Sequence, residues 1–201
     1  WVAAGTYKPT TTTNRNIGFI VPSGMKLYGG FAGTETSFSQ RPINVVGGGA
    51  NATILSGNIG NTNDSTDNTI NLITAYNAAK GTVMDGFTIQ DGYETNMVSN
   101  KAAGLTITAS NGRNELQVSN CIFKNNSGNY AAFNNGDAVV INSENAGVAK
   151  TKICNNIFVN NRAFWSSAIR IISEGDSSIS SISNNIFYQN KNEQGGTILT
   201  G

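Results

Sequence analysis

Hydrophobic and polar positions recur along this chain as whole blocks. Val118–Asn126, Ile153–Asn161 and Ile182–Asn190 align without gaps, each reading aliphatic, polar or small, Asn, any, Ile, Phe, two variable residues and Asn. A more distant copy, Met84–Gly92, sets Ile89 in the place of the phenylalanines. Between these copies lies a second repeated element: Ala102–Ile107, Gly136–Ile141, Ser166–Ile171 and Gly195–Leu199, each a turn of small residues feeding a short strand. The two elements alternate strictly. That alternation predicts an all-β chain wound as a right-handed parallel β-helix, with about three short strands per coil rather than a strand and a long helix.

In such a solenoid each coil stacks on the last at about 4.8 Å, so equivalent residues lie one above another. Because alternate strand residues point inward, Ile89, Phe123, Phe158 and Phe187 are expected to form one internal stack and Met84, Val118, Ile153 and Ile182 another. Asn156 and Asn185 share the position of Cys121 and Phe87, inward beside a bend, and Asn120, Asn155 and Asn184 fall at the bend itself. Asn tolerates left-handed backbone, and its amide serves both turn groups and the Asn one coil away, so the asparagines read as a fold-stabilising ladder. Cys121 is expected to point inward and Cys154 outward, as two free thiols. The chain reads as a single domain over 1–201, with opening coils and long loops in 1–80 and regular coils in 81–201. The uncapped strand before Gly201 reads as part of a longer chain.

Composition narrows the function classes. Thirty asparagines and 23 glycines against 12% charged residues disfavour long helices. A formal net charge of +1, with no Lys/Arg run, gives no footprint for nucleic acid or an anionic membrane, and no stretch is apolar enough to span a bilayer. Histidine is absent, which removes the usual general base and the commonest metal ligand. The two cysteines lack metal-ligand spacing. No metal site is read from the sequence. Ca²⁺ is the one cofactor for which oxygen ligands gather, in the Asn-, Asp-, Ser- and Thr-dense segment Gly57–Asn68, without a recognised register.

Phe123-Lys124-Asn125-Asn126, Phe158-Val159-Asn160-Asn161 and Phe187-Tyr188-Gln189-Asn190 match F-x-x-N, and Gly195-Gly196-Thr197-Ile198 approximates G-G-A-[ILV]. In these motifs the chain resembles the polymorphic outer-membrane protein repeats, a family of β-helical passenger domains. Ala102-Ala103-Gly104-Leu105, Gly136-Asp137-Ala138-Val139 and Ser166-Ser167-Ala168-Ile169 depart from the double glycine. The N-terminal part, through Trp1–Pro9, Leu27–Thr36, Gln40-Arg41 and Thr53–Gly57, is similar to the first coils of large secreted Bacteroidota surface proteins. This resemblance implies a module at the bacterial cell surface or outside the cell, a monomeric piece of a larger surface protein. It would present a binding or adhesive surface to glycans or to molecules on host or neighbouring cells.

The same fold hosts pectate-lyase-like enzymes, so a polysaccharide lyase or hydrolase is the second reading and a stalk or filament segment the third. A lyase needs carboxylates and a base on one face. Asp85, Asp91, Glu94, Asp137, Lys124 and Arg170 are scattered and read as solvated turn and surface charges, so no catalytic residue is assigned and binding is preferred to catalysis. Candidate binding residues are the aromatics of the variable segments that follow F-x-x-N, Tyr130 and Phe133 in one coil and Phe164 and Trp165 in the next, and, separately, Arg170, which projects outward from its strand between Ile169 and Ile171 and could contact an anionic sugar. Clustered aromatics of this kind stack on sugar rings or anchor protein partners.

Overall fold

The computed structural model describes residues 1–42, 46–95, 100–128, 136–174 and 177–201. Every strand pair in it is parallel, and among the described residues there is no α-helix, only three short 3-10 turns. Three sheets carry most of the strand residues. Sheet I contains Phe19–Ile20, Ile73–Tyr76, Leu105–Ser110, Val139–Glu144, Ile169–Ser173 and Ile198–Thr200. Sheet II contains Lys26–Tyr28, Val83–Asp85, Gln117–Ser119, Lys152–Cys154 and Ser181–Ser183. Sheet III contains Gly5–Tyr7, Thr53–Ser56, Thr88–Gln90, Ile122–Lys124, Ile157–Val159 and Ile186–Tyr188. The chain visits I, II and III in that order on every round, and each strand pairs with its equivalent one round away.

Two further sheets of two-residue strands add to the three expected. One, between sheets I and II, joins Arg113–Asn114, Val148–Ala149 and Ser177–Ser178. The other follows sheet III and joins Tyr93–Glu94, Ser127–Gly128, Arg162–Ala163 and Lys191–Asn192. A full round therefore has five strands. The extra ones are corners, too short and too polar to leave an alternating pattern in the sequence.

The two predicted stacks are present in register. Leu55, Ile89, Phe123, Phe158 and Phe187 are successive partners in sheet III, and Leu27, Met84, Val118, Ile153 and Ile182 in sheet II. Phe123 and Phe158 stack at 4.9 Å and 5°, Phe158 and Phe187 at 5.1 Å and 14°. Aromatic pairs left to themselves favour offset or edge-on contact. Here the strand spacing of about 4.8 Å sets the geometry instead.

Each corner has its own left-handed column. Gly86, Asn120, Asn155 and Asn184 occupy positive φ between sheets II and III, and Asp91, Asn125, Asn160 and Gln189 do so after sheet III. Inside each corner runs a carboxamide ladder. At the first, Asn156 Oδ1 accepts from Cys121 N (2.9 Å) and Asn185 Oδ1 from Asn156 N (2.9 Å), while Asn156 Nδ2 donates to Val118 O (3.2 Å). At the second, Asn161 Oδ1 accepts from the backbone and side-chain nitrogens of Asn126 (3.0 and 3.1 Å), and Asn161 Nδ2 donates to Phe123 O (2.9 Å) and Asn190 Oδ1 (2.9 Å). The final Asn of each F-x-x-N block is thus a ladder residue, fully buried at Asn126 and Asn161 and half-buried at Asn190, matched at the first corner by Asn156 and Asn185.

Small residues ahead of sheet I have an equally local cause. A Cβ at Gly104 would strike the carbonyl oxygen of Ala138, and one at Gly195 that of Trp165. Near the N-terminal end the segment after Tyr28 folds back over sheet II. Arg41 forms a 2.6 Å ion pair with Asp85, whose other oxygen accepts from Ser119 Oγ (2.6 Å) and Asn120 Nδ2 (2.7 Å). Arg41 also lies over the rings of Tyr28, Phe31 and Phe38. Asp85 is therefore a buried structural charge and not the solvated one expected from sequence. Cys121 is fully buried, and Cys154, although it follows the inward Ile153, is covered as well; both are free.

Asn161→Leu, which keeps the forked shape of the side chain and removes four hydrogen bonds in a buried site, is expected to lower unfolding free energy by roughly 3 kcal/mol. Asn160→Gly, one residue earlier on the exposed side, should change it by less than about 1 kcal/mol; denaturant midpoints measure both. Burial pushes the Cys121 thiol up to about 12, so the native protein should resist iodoacetamide at pH 8 and expose two reactive thiols only when unfolded.

Candidate binding groove

The outer face of sheet I carries two rows of side chains. Ile20, Thr74, Thr106, Val140, Arg170 and Leu199 are successive partners in one row, and Tyr76, Thr108, Asn142 and Ile172 in the other. A recess of about 440 Å³ lies over the first strands, between Asn16–Ile20, Ile70–Asn71, Thr74, Tyr76 and Lys101. A second, also about 440 Å³, continues from it over Thr106, Thr108, Asn142 and Glu144. Asn71, Thr74, Tyr76 and Lys101 line both, so the two halves form one groove running along the stack.

Its floor is held rigid by hydrogen bonds. The Asn71 carboxamide lies 2.9 Å from both Thr74 Oγ1 and Thr106 Oγ1, and with its nitrogen toward Thr106 it also reaches Ala102 O (3.1 Å). Thr106 Oγ1 accepts from Ala102 N (2.9 Å), which fixes the start of the Ala102–Gly104 turn against the groove. Asn142 donates to Glu144 Oε2 (3.0 Å), and its Oδ1 has no hydrogen-bond partner among the described residues. Tyr76, 55% exposed, lines both halves. The lining changes along its length, from isoleucines through hydroxyls and carboxamides to the Glu144 carboxylate.

No family model, curated protein or solved structure matches the chain. The site is therefore read from its own chemistry.

Of the residues singled out from sequence, Arg170 is half-buried in the first outer row, three strands beyond Thr74 and just past the groove. Phe164 and Trp165 meet edge to face at 4.8 Å. Phe164 is buried, so its ring packs the corner and presents no platform, whereas Trp165 is 38% exposed. Tyr130 and Phe133 lie outside the described residues. Sequence reasoning missed Asn71, Thr74, Tyr76, Thr108 and Asn142. The available signal was the alternation of polar residues with core residues in Leu105-Thr106-Ile107-Thr108.

The scattered charges have structural places. Glu94 and Asp137, expected in solvent, are fully buried in the segments flanking the turn before sheet I. In the Gly57–Asn68 segment the carboxylates turn onto their own backbone: Asp67 Oδ2 accepts from Asn61 N (2.7 Å), and Asp64 Oδ1 from Thr66 N (2.8 Å) and Thr66 Oγ1 (2.6 Å). Those bonds hold the Asp64 carboxyl below the usual range, the Thr66 hydroxyl foremost. Asp137 is fully buried, with Ser166 and Arg170 facing its carboxyl. Burial pushes its pKa up to about 7, against the pull of the Arg170 guanidinium.

A raised carboxyl pKa means that the folded chain keeps a proton the unfolded chain has lost. Stability is therefore expected to fall as pH rises from near 4 toward 7 and to level off above. Urea midpoints at pH 4.5 and 8 measure this, and Asp137→Asn should flatten the profile.

Proposed function

We propose that the stacked parallel sheets wind as a right-handed parallel β-helix and that the chain is a secreted or cell-surface module whose groove on sheet I binds a glycan. The observation that carries this reading is a single groove lined by Asn71, Thr74, Tyr76, Thr108 and Asn142, with Lys101 at its lip. Hydroxyls and carboxamides match the paired donors and acceptors of sugar hydroxyls, and an exposed tyrosine ring offers the apolar face on which a pyranose stacks. Because the groove follows the stack, it suits an extended chain better than a compact molecule. Its position on strands, with the floor cross-linked by the Asn71 amide, keeps these groups in place before a ligand arrives.

Glycan-array screening of the whole chain tests the reading. At least one oligosaccharide class should be retained, and Tyr76→Ala should weaken its binding roughly tenfold, a loss of about 1.4 kcal/mol. Trp165→Ala should leave it unchanged. Retention of no glycan, or insensitivity to Tyr76→Ala, rejects the groove as the site.

A further inference from the structure

The two halves of the groove differ in one respect that a generic sugar site does not require. The half over the first strands gathers three isoleucines, Ile17, Ile20 and Ile70, against Tyr76. Ile20 is 74% exposed and Ile17 is also exposed, which is unusual for large aliphatic side chains that converge on one recess. Asn16 stands beside them, and its side chain makes no hydrogen bond among the described residues. Gly18 lies between, and a Cβ there would strike the carbonyl oxygen of Asn71, so the backbone closes the floor where a side chain would fill it. Among the described residues the one charged side chain lining this half is Lys101, which also lines the other, where the carboxylate, Glu144, lies.

A ligand group complementary to this half has a small apolar end, a neutral amide and no cation. The acetamido group of an N-acetylated amino sugar meets all three conditions. We infer that this half of the groove selects an N-acetylhexosamine residue, a specificity that rests on the glycan reading of the groove. The acetyl methyl sits among Ile17, Ile20 and Ile70, the amide faces Asn16, and the sugar ring lies against Tyr76. The free amine of a deacetylated sugar is cationic near neutral pH. Lys101 repels that charge, and the isoleucines would desolvate it. A sugar with a hydroxyl in place of the acetamido group leaves the isoleucines wet.

Titration calorimetry of the full chain with three probes tests the inference: trimers of N-acetylglucosamine, of glucosamine and of glucose. The acetylated trimer should bind at least about tenfold more tightly than either of the others, the usual value of a small apolar group in a fitted pocket. Ile17→Ser and Ile20→Ser should erase that preference. Both side chains are exposed, so neither change should disturb folding, and thermal melts check this. Equal binding of the three trimers, or full selectivity in both serine variants, overturns the acetamido assignment and leaves the groove reading standing. If no trimer binds and the array retains no glycan, both fall together.

Discussion

A buried asparagine that hydrogen-bonds to the backbone of the neighbouring round sets the register on which the rest of this molecule depends. Asn161 joins Asn126, Phe123 and Asn190 with one side chain, and Asn156 joins Cys121, Val118 and Asn185 in the same way. A carboxamide suits this task because its oxygen and nitrogen serve two rounds at once, in a site where an unpaired polar group is costly. With the corners pinned, the strands between them have only one alignment. Phe123, Phe158 and Phe187 then stack face to face because the backbone brings them to that distance. The same alignment places Thr74 beside Thr106 and Tyr76 beside Thr108 on the outer face.

The wall was legible in the sequence and the corners only partly so. Aligned copies identify which residues stack, so the Ile89–Phe187 and Met84–Ile182 columns could be named from letters alone. The bend asparagines 120, 155 and 184 were also legible, because Asn in a repeated position before a strand has few structural uses. The second ladder was hidden inside F-x-x-N, where the last Asn reads as a motif letter until its neighbours one round away are known. Long-range charge pairing was not visible either. Arg41 and Asp85 are 44 residues apart and belong to no repeat, so nothing in the sequence joins them.

The groove was less legible for a physical reason. A core column repeats because every round must fill the same interior, whereas an outer row is free to vary. Ile20, Thr74, Thr106, Val140 and Arg170 share one row and no chemical type. Aromatic residues in variable segments attracted notice instead, yet Phe164 proved to be packing and the exposed ring in the groove is Tyr76, on a strand. Function on such a scaffold is written in the positions that fail to repeat.

The rounds differ in length at one place above all. Ten residues separate Glu94 from Leu105 and Gly128 from Val139, but five separate Ala163 from Ile169 and Asn192 from Ile198, while the turns between sheets II and III keep the same two residues throughout the regular rounds. Lys101, at the lip of the groove, belongs to the first of the longer connections. Growth at this corner leaves the ladders untouched, since the stacked positions resume at the following strand whatever lies between. The molecule thus separates inheritance from novelty. Its walls are constrained by their neighbours in every round, and the rim beside sheet I is a slot into which sequence can be inserted and tried without re-solving the fold.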